Sequence, residues 1–307
     1  MKTSDQRHNS TNCIICGSQE VQFLVRTRDR HYGIPNEFDV VVCQGCGLRQ
    51  LDPLPSESEL LSFYGPDYYA FVPPSRAPWW KSIARRILRS RIPTHNPSFA
   101  IPGDFLDIGC GAGDYLLIMR DRGWRVCGAE PVQAGVKAGR EAGFDIRHGS
   151  LLEAGFEDAS FDYVRSNHSF EHIVNPLEIL HEIRRILRPD GKLFLGIPNA
   201  DSLPARIFGR YWWYMGVPLH PFTYSPSTLT SLVTKAGLRV EQVYYNSNYS
   251  SVTGSLQIYL NRNNGKTAGE GLVLNNIFLR LAGNAVARTF DLLHQGDAIE
   301  LICSRAK

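Results

Sequence analysis

The sequence predicts an α/β fold, a doubly wound sheet with a small cysteine-bearing module ahead of it. Three observations carry that expectation. From about residue 104 to residue 199, short apolar runs alternate with helical stretches, the pattern of parallel strands joined by crossover helices. The first of those runs breaks into glycines at 109, 111 and 113 just before a helix begins. Residues 13–47 carry two Cys-x-x-Cys-Gly turns. The 307 residues suffice for one large domain and one small one, and 43% hydrophobic content is ample for a core. A net charge of +3 gives no general drive toward nucleic acid. Residues 1–12 are polar, without the apolar centre of a signal peptide, and no run approaches the ~18 apolar residues of a membrane helix. A cytoplasmic location is the expectation.

In chain order, the module comes first, at 1–52. Cys13 and Cys16 form one pair, Cys43 and Cys46 the other, each followed by a glycine that lets the backbone fold under the sulfurs. Two such turns complete a four-sulfur tetrahedral site of the kind structural zinc prefers. Between them lie strand-like runs at 21–25 and 38–42. Four protein ligands close the site, so its role is structural. Cys110, Cys127 and Cys303 sit among apolar neighbours, as buried thiols do.

Residues 53–101 are rich in proline and read as a linker with short helices. Ser56 and Glu59 form a capping-box pair for a helix over 56–64. Residues 79–91 place tryptophan, isoleucine and leucine on one face and Lys81, Arg85, Arg86 and Arg89 on the other. Such a helix either packs on the main domain or touches an anionic membrane surface.

The main domain is expected over 102–307. Strands are predicted at 105–108, 125–130, 144–148, 161–166 and 192–198. Helices fall at 115–120, from 131 to 141, and from 176 to 187, the last closed by a Pro189-Asp190-Gly191 turn. A tract at 200–226, dense in aromatic residues, leads to a helix capped by Ser225 and closed by Gly237. A strand at 239–245, one or two helices within 271–293 and a last strand at 297–303 complete the chain.

The glycine stretch is a cradle: glycines permit tight turns, and a helix start offers free N–H groups. A dinucleotide site wants G-x-G-x-x-G; here the third glycine comes one place early and Asp107 stands two residues before the first. Glu130, seventeen residues beyond Gly113, ends the next strand, where a carboxylate grips ribose hydroxyls. A ligand with a ribose, an ammonium and no phosphate fits both acids, and S-adenosylmethionine is such a molecule. A bare tight turn would leave both acids unexplained.

Leu106-Asp107-Ile108-Gly109-Cys110-Gly111-Ala112-Gly113 resembles motif I of the class I S-adenosylmethionine-dependent methyltransferases. Phe161-Asp162-Tyr163-Val164, then 167–173 and 187–192, follow in that family's order. The resemblance covers about 104–199 and implies a Rossmann-like, seven-stranded methyltransferase sheet. It implies that Asp107, Gly109, Gly111 and Gly113 hold the methionine part and Glu130 the ribose, with Asn167 and His168 near the sulfonium. Ser150 and Leu151 stand where the family often has an acid for the adenine amine, a departure. The two cysteine turns resemble a subgroup with a zinc module ahead of its catalytic core. That subgroup is associated with bacterial sugar, surface-polysaccharide and natural-product modification, which implies a small-molecule or glycan acceptor.

Methyl transfer to a hydroxyl needs alignment and a base. His168, His172 and His220 are the three to weigh, with His220, in the aromatic tract, and His172 foremost, and Tyr224 and Tyr214 behind them. Trp212, Trp213 and Phe222 suit either a stacking wall for a sugar or the core. The leading expectation is O-methylation of a sugar hydroxyl. RNA methylation with the module as clamp is the second, opposed by the sparse cations of 13–52; a non-catalytic cofactor-binding scaffold is the third.

Overall fold

A computed structural model of the chain describes residues 12–65, 69–71 and 95–306. The predicted helix at 79–91 and most of the linker lie outside the described residues. The large sheet has seven strands: β4 (Asp104–Ile108), β5 (Arg125–Glu130), β6 (Ile146–His148), β7 (Phe161–Asn167), β8 (Leu187–Pro198), β10 (Leu238–Tyr245) and β11 (Ala298–Arg305). Their spatial order is β10-β11-β8-β7-β4-β5-β6. β4 to β8 are parallel, whereas β11 runs antiparallel to both β8 and β10. The sheet is therefore mixed, because the last strand threads between two strands of one direction; an apolar run carries no sign of its direction. The predicted strand at 144–148 begins only at Ile146, and Phe144 instead packs against Gly113 at the end of the glycine loop.

β1 (Val21–Arg28), β2 (Glu37–Cys43), β3 (Arg49–Asp52) and β9 (Phe222–Thr223) form a second sheet in that order. Sequence reading found the first two and missed the short β3 and β9. Through them the cysteine module shares a sheet with the aromatic tract: Arg49 pairs with Thr223 and Gln50 with Phe222. The Lys235 ammonium adds hydrogen bonds to the carbonyls of Ile14 and Ile15.

The helices follow their sequence signals. In α1 (Glu57–Ser62), Ser56 and Glu59 make the predicted capping box. α2 (Asp114–Arg120) follows the glycines, and α3 (Gln133–Glu141) follows β5. α4 (Pro176–Ile186) begins on a proline and buries Ile179, Leu180, Ile183 and Ile186, an i, i+1, i+4, i+7 stripe facing the sheet. The Pro189-Asp190-Gly191 turn does not end a helix there. It is an excursion inside β8, where register jumps from Phe161–Leu187 to Tyr163–Lys192. α5 (Leu203–Phe208), α6 (Pro226–Lys235), α7 (Ser250–Leu260), α8 (Leu272–Asn275) and α9 (Ile277–Leu292) complete the chain; α5 and α7 carried no clear sequence signal. Among the described residues no helix is long and apolar enough to cross a membrane.

The aromatic tract is anchored rather than open. Trp212 is 1% exposed and donates its indole N–H to Asp297 at 2.6 Å; the Ser202 hydroxyl donates to the same oxygen at 2.7 Å. Phe222 is fully buried, so these two rings are core and form no stacking wall. Burial pushes the Asp297 carboxyl up to about 6, against the pull of Ser202, Ser251 and Trp212. Its folded value thus exceeds the unfolded one of about 3.9. That contribution is complete below about pH 4 and is lost as pH rises through 6. Two units correspond to about 3 kcal/mol. The stability of wild type relative to Asp297→Asn should accordingly fall by about that much between pH 4 and pH 7 in urea denaturation. A constant difference would contradict this account.

Candidate active site

The sheet's strand order reverses at β4, and there, beyond the strand ends, lies a cavity of about 440 Å³. Gly109, Gly111 and Gly113 all have positive φ, at 68°, 53° and 88°. A Cβ on Gly109 would come within 2.4 Å of the Ser169 Cβ, and one on Gly111 within 2.4 Å of the Ala70 carbonyl oxygen. Both conformation and space therefore require glycine. Ala112 donates its N–H to Ala70 at 2.9 Å, so the segment before the main domain seats directly on the loop.

Two buried carboxylates flank the loop, as the sequence predicts. Glu130 accepts hydrogen bonds from the N–H groups of Gly111 and Val132, each 2.9 Å, one on each oxygen. Burial pushes its carboxyl up, and those two N–H groups pull it down. Asp107 is not left to face a cation alone. Arg165, at the same register on β7, donates to its Oδ1 at 3.0 Å and lies 3.6 Å over the Tyr115 ring. Burial raises the Asp107 carboxyl while Arg165 lowers it. Ser150 and Leu151 line the cavity, and the Ser150 hydroxyl donates to Glu153.

At the far end, β7 delivers Asn167 and His168 into the lining, with His168 at φ 52°. The following 3-10 turn, Phe170–His172, supplies His172. Its Nδ1 lies 2.9 Å from the Tyr64 hydroxyl, and its ring meets that of His220 edge-on at 4.7 Å. Burial pulls His172 down to about 4; burial and then His172 pull His220 down to about 3. His220 is thus brought to the site behind His172, outside the cavity lining. Tyr224 does not belong there. It is 0% exposed, packed between Phe170 and Phe222, and burial raises its hydroxyl well above the usual range. An aromatic in a polar-flanked tract reads alike whether it faces core or cleft.

The four module cysteines come together as expected. Their sulfurs all lie within 4.8 Å of one another, with Cys13–Cys46 and Cys16–Cys43 at 3.5 Å and no disulfide. The edge of a tetrahedron with Zn–S of about 2.3 Å is about 3.8 Å, so the cluster fits zinc. The two turns are alike: Gly17 and Gly47 donate to the carbonyls of Cys13 and Cys43 at 2.8 Å, both with positive φ.

Sequence reading missed Arg165, Glu171 and Tyr64. Arg165 had a readable signal, an arginine inside an apolar strand; Tyr64 had none, because its partner is 108 residues away.

The profile of the methyltransferase domain family matches residues 80–243. A Mycolicibacterium smegmatis protein named "Probable S-adenosylmethionine-dependent methyltransferase/" is 35% identical over 144 residues, 45% of this chain and 52% of that one. A Listeria welshimeri demethylmenaquinone methyltransferase is 27% identical over 122 residues, 36% of this chain and 52% of that one. The chain thus spans about half the length of these relatives. In fold it is similar to a chain from the Haloferax volcanii complex between the Trm112 methyltransferase activator and a methyltransferase. There the TM-score is 0.50 and the identity 20%, over 73% of this chain and 88% of that one. With more than half of its residues matched by one profile, and with the glycine loop, both acids and the seven-stranded sheet in place, this chain belongs to the methyltransferase domain family, in its class I, S-adenosylmethionine-dependent form.

Proposed function

We propose that the protein transfers a methyl group from S-adenosylmethionine to a hydroxyl of a small-molecule or glycan-linked acceptor, a sugar hydroxyl first of all. The observation that carries this reading is the cavity itself: one end has the glycine loop with Asp107, Arg165 and Glu130, the other has His168 and His172. Asp107 and Arg165 offer the two opposite charges an amino-acid group requires, and Glu130 keeps lone pairs for ribose hydroxyls. Gly109, Gly111 and Gly113 let the chain approach closely, Ser150 and Leu151 border the base, and Asn167 and His168 face the sulfonium. The bound cofactor supplies an activated methyl on sulfur; the protein aligns the acceptor, excludes water and accepts its proton. His172 lines the cavity and His220 backs it, so the acceptor hydroxyl is activated beside that cluster. Cys13, Cys16, Cys43 and Cys46 hold a structural zinc ion.

Calorimetry should give one S-adenosylmethionine site per chain. Mass spectrometry of glycolipids and polysaccharides, with and without the gene, should show a methyl-sized difference in one acceptor. No cofactor binding would end the reading. His220→Ala should lower turnover about 10²-fold or more with cofactor affinity unchanged; near-normal turnover would remove His220 from the mechanism.

A further inference from the structure

The geometry points to a second metal centre: Glu171, His172 and His220 form a site for a first-row divalent transition cation at the acceptor end of the cavity. One carboxylate oxygen and one nitrogen from each imidazole lie within 4.8 Å of one another. Three atoms at such separations are at most about 2.8 Å from a common centre, so each closes by roughly 0.7 Å to reach metal–ligand distances of about 2.0–2.1 Å. Side-chain torsions can supply that.

An independent observation asks for a cation. Glu171 is 2% exposed, and its Oε2 makes no hydrogen bond. Its other oxygen has only His168 Nδ1, 3.4 Å away. A buried carboxylate oxygen without a partner is costly, and paired charge or a metal is the usual remedy. No lysine or arginine pairs with it among the described residues. The Tyr224 hydroxyl, whose ionisation Glu171 opposes, is likewise unpartnered.

Each imidazole has a backbone carbonyl partner; that of His172 is Leu219, and its Nδ1 also lies 2.9 Å from the Tyr64 hydroxyl, so an ion there takes the place of one of these partners. His220 Nδ1 faces the Tyr214 carbonyl at 3.1 Å; a carbonyl only accepts, so Nδ1 carries the proton and Nε2 presents its lone pair. The ring is wedged against Gly216, where a Cβ would come within 2.1 Å of Nδ1. Glu171 and His172 stand on the turn after β7, and His220 stands just before β9, which β3 anchors. Two imidazoles and one carboxylate with open positions suit zinc, manganese, iron(II) or cobalt(II), whereas magnesium and calcium prefer oxygen throughout. His172 lines the cavity, so an open position faces the acceptor, and an oxygen-bearing acceptor is the class such an ion would orient and acidify. The binding claim stands on the cluster alone; only the ion's role rests on the methyl-transfer reading.

Cobalt(II) is the probe. The full-length protein, with its four-cysteine site filled, is titrated while absorbance and heat are recorded. Wild type should take up one further equivalent with a nitrogen–oxygen spectrum free of thiolate charge-transfer bands. Glu171→Gln and His220→Gln should each weaken that uptake at least 100-fold, with the metal content of the cysteine site unchanged. S-adenosylmethionine binding and near-ultraviolet dichroism in the same samples report whether each variant is folded; His172→Gln serves if one is not. Wild type taking no further equivalent, or folded variants binding as tightly as wild type, would overturn the proposal. Cobalt uptake without cofactor binding would defeat the methyl-transfer reading and leave the cation site standing.

Discussion

Replacing Cys46 with serine should abolish zinc uptake at the four-cysteine cluster and, with the proposed structural ion gone, most of the folded yield. In zinc-finger peptides a four-ligand site contributes about 10–16 kcal/mol. The whole stability of a domain is only about 5–15 kcal/mol. Here the loss would not stay local. Cys13, Cys43 and Leu48 are buried in the same apolar cluster as Leu229, Leu232 and Val233 of α6. β3 carries the module's sheet into β9, and Leu51 donates its N–H to Pro221 at 3.0 Å. Unfolding the module therefore strips apolar cover from α6 and leaves β9 without its partner strand. Metal analysis should find one zinc per wild-type chain at this site and none in Cys46→Ser, with the variant largely insoluble or melting far below wild type. A soluble variant that melts like wild type without zinc would show the cluster to be dispensable.

Glu130→Ala should abolish measurable cofactor affinity at ordinary concentrations, a loss of 100-fold or more. The carboxylate has two tasks at once. It fixes the loop through Gly111 N–H and the start of α3 through Val132 N–H, and in the proposed function its remaining lone pairs take the ribose diol. Hydrogen bonds to a charged group are worth about 1.5–3 kcal/mol each, and about 1.4 kcal/mol is tenfold in affinity. Calorimetry with S-adenosylhomocysteine checks this without any acceptor. Glu130→Gln should fall between the two, since its amide keeps one acceptor oxygen. Wild-type affinity in Glu130→Ala would remove the residue from the cofactor site.

What could be read from the chain was what covalent spacing enforces. Cys13, Cys16, Cys43 and Cys46 assemble because each pair is bound into its own turn. Asp107, the three glycines and Glu130 converge because two adjacent parallel strands end side by side. What could not be read depends on partners chosen in space. Arg165 meets Asp107 across a strand pair, and Tyr64 reaches His172 from a segment outside the alternating pattern. β9 is two residues long and exists only because β3 is beside it. Tyr224 looked reactive and is packing, while Glu171, which no sequence signal marked, is 2% exposed beside His172.

The position of β11 has a consequence for biosynthesis. Of the seven strands of this sheet, the one made after the other six fills the gap between β8 and β10. Until residues 298–305 leave the ribosome, β8 keeps a bare hydrogen-bonding edge and β10 has no neighbour in the sheet. The glycine loop, which ends 185 residues before β11 begins, is thus complete long before the sheet that supports it can close. A nascent chain stalled short of residue 298 presents a sticky edge to chaperones and proteases, and only one that has made β11 conceals it.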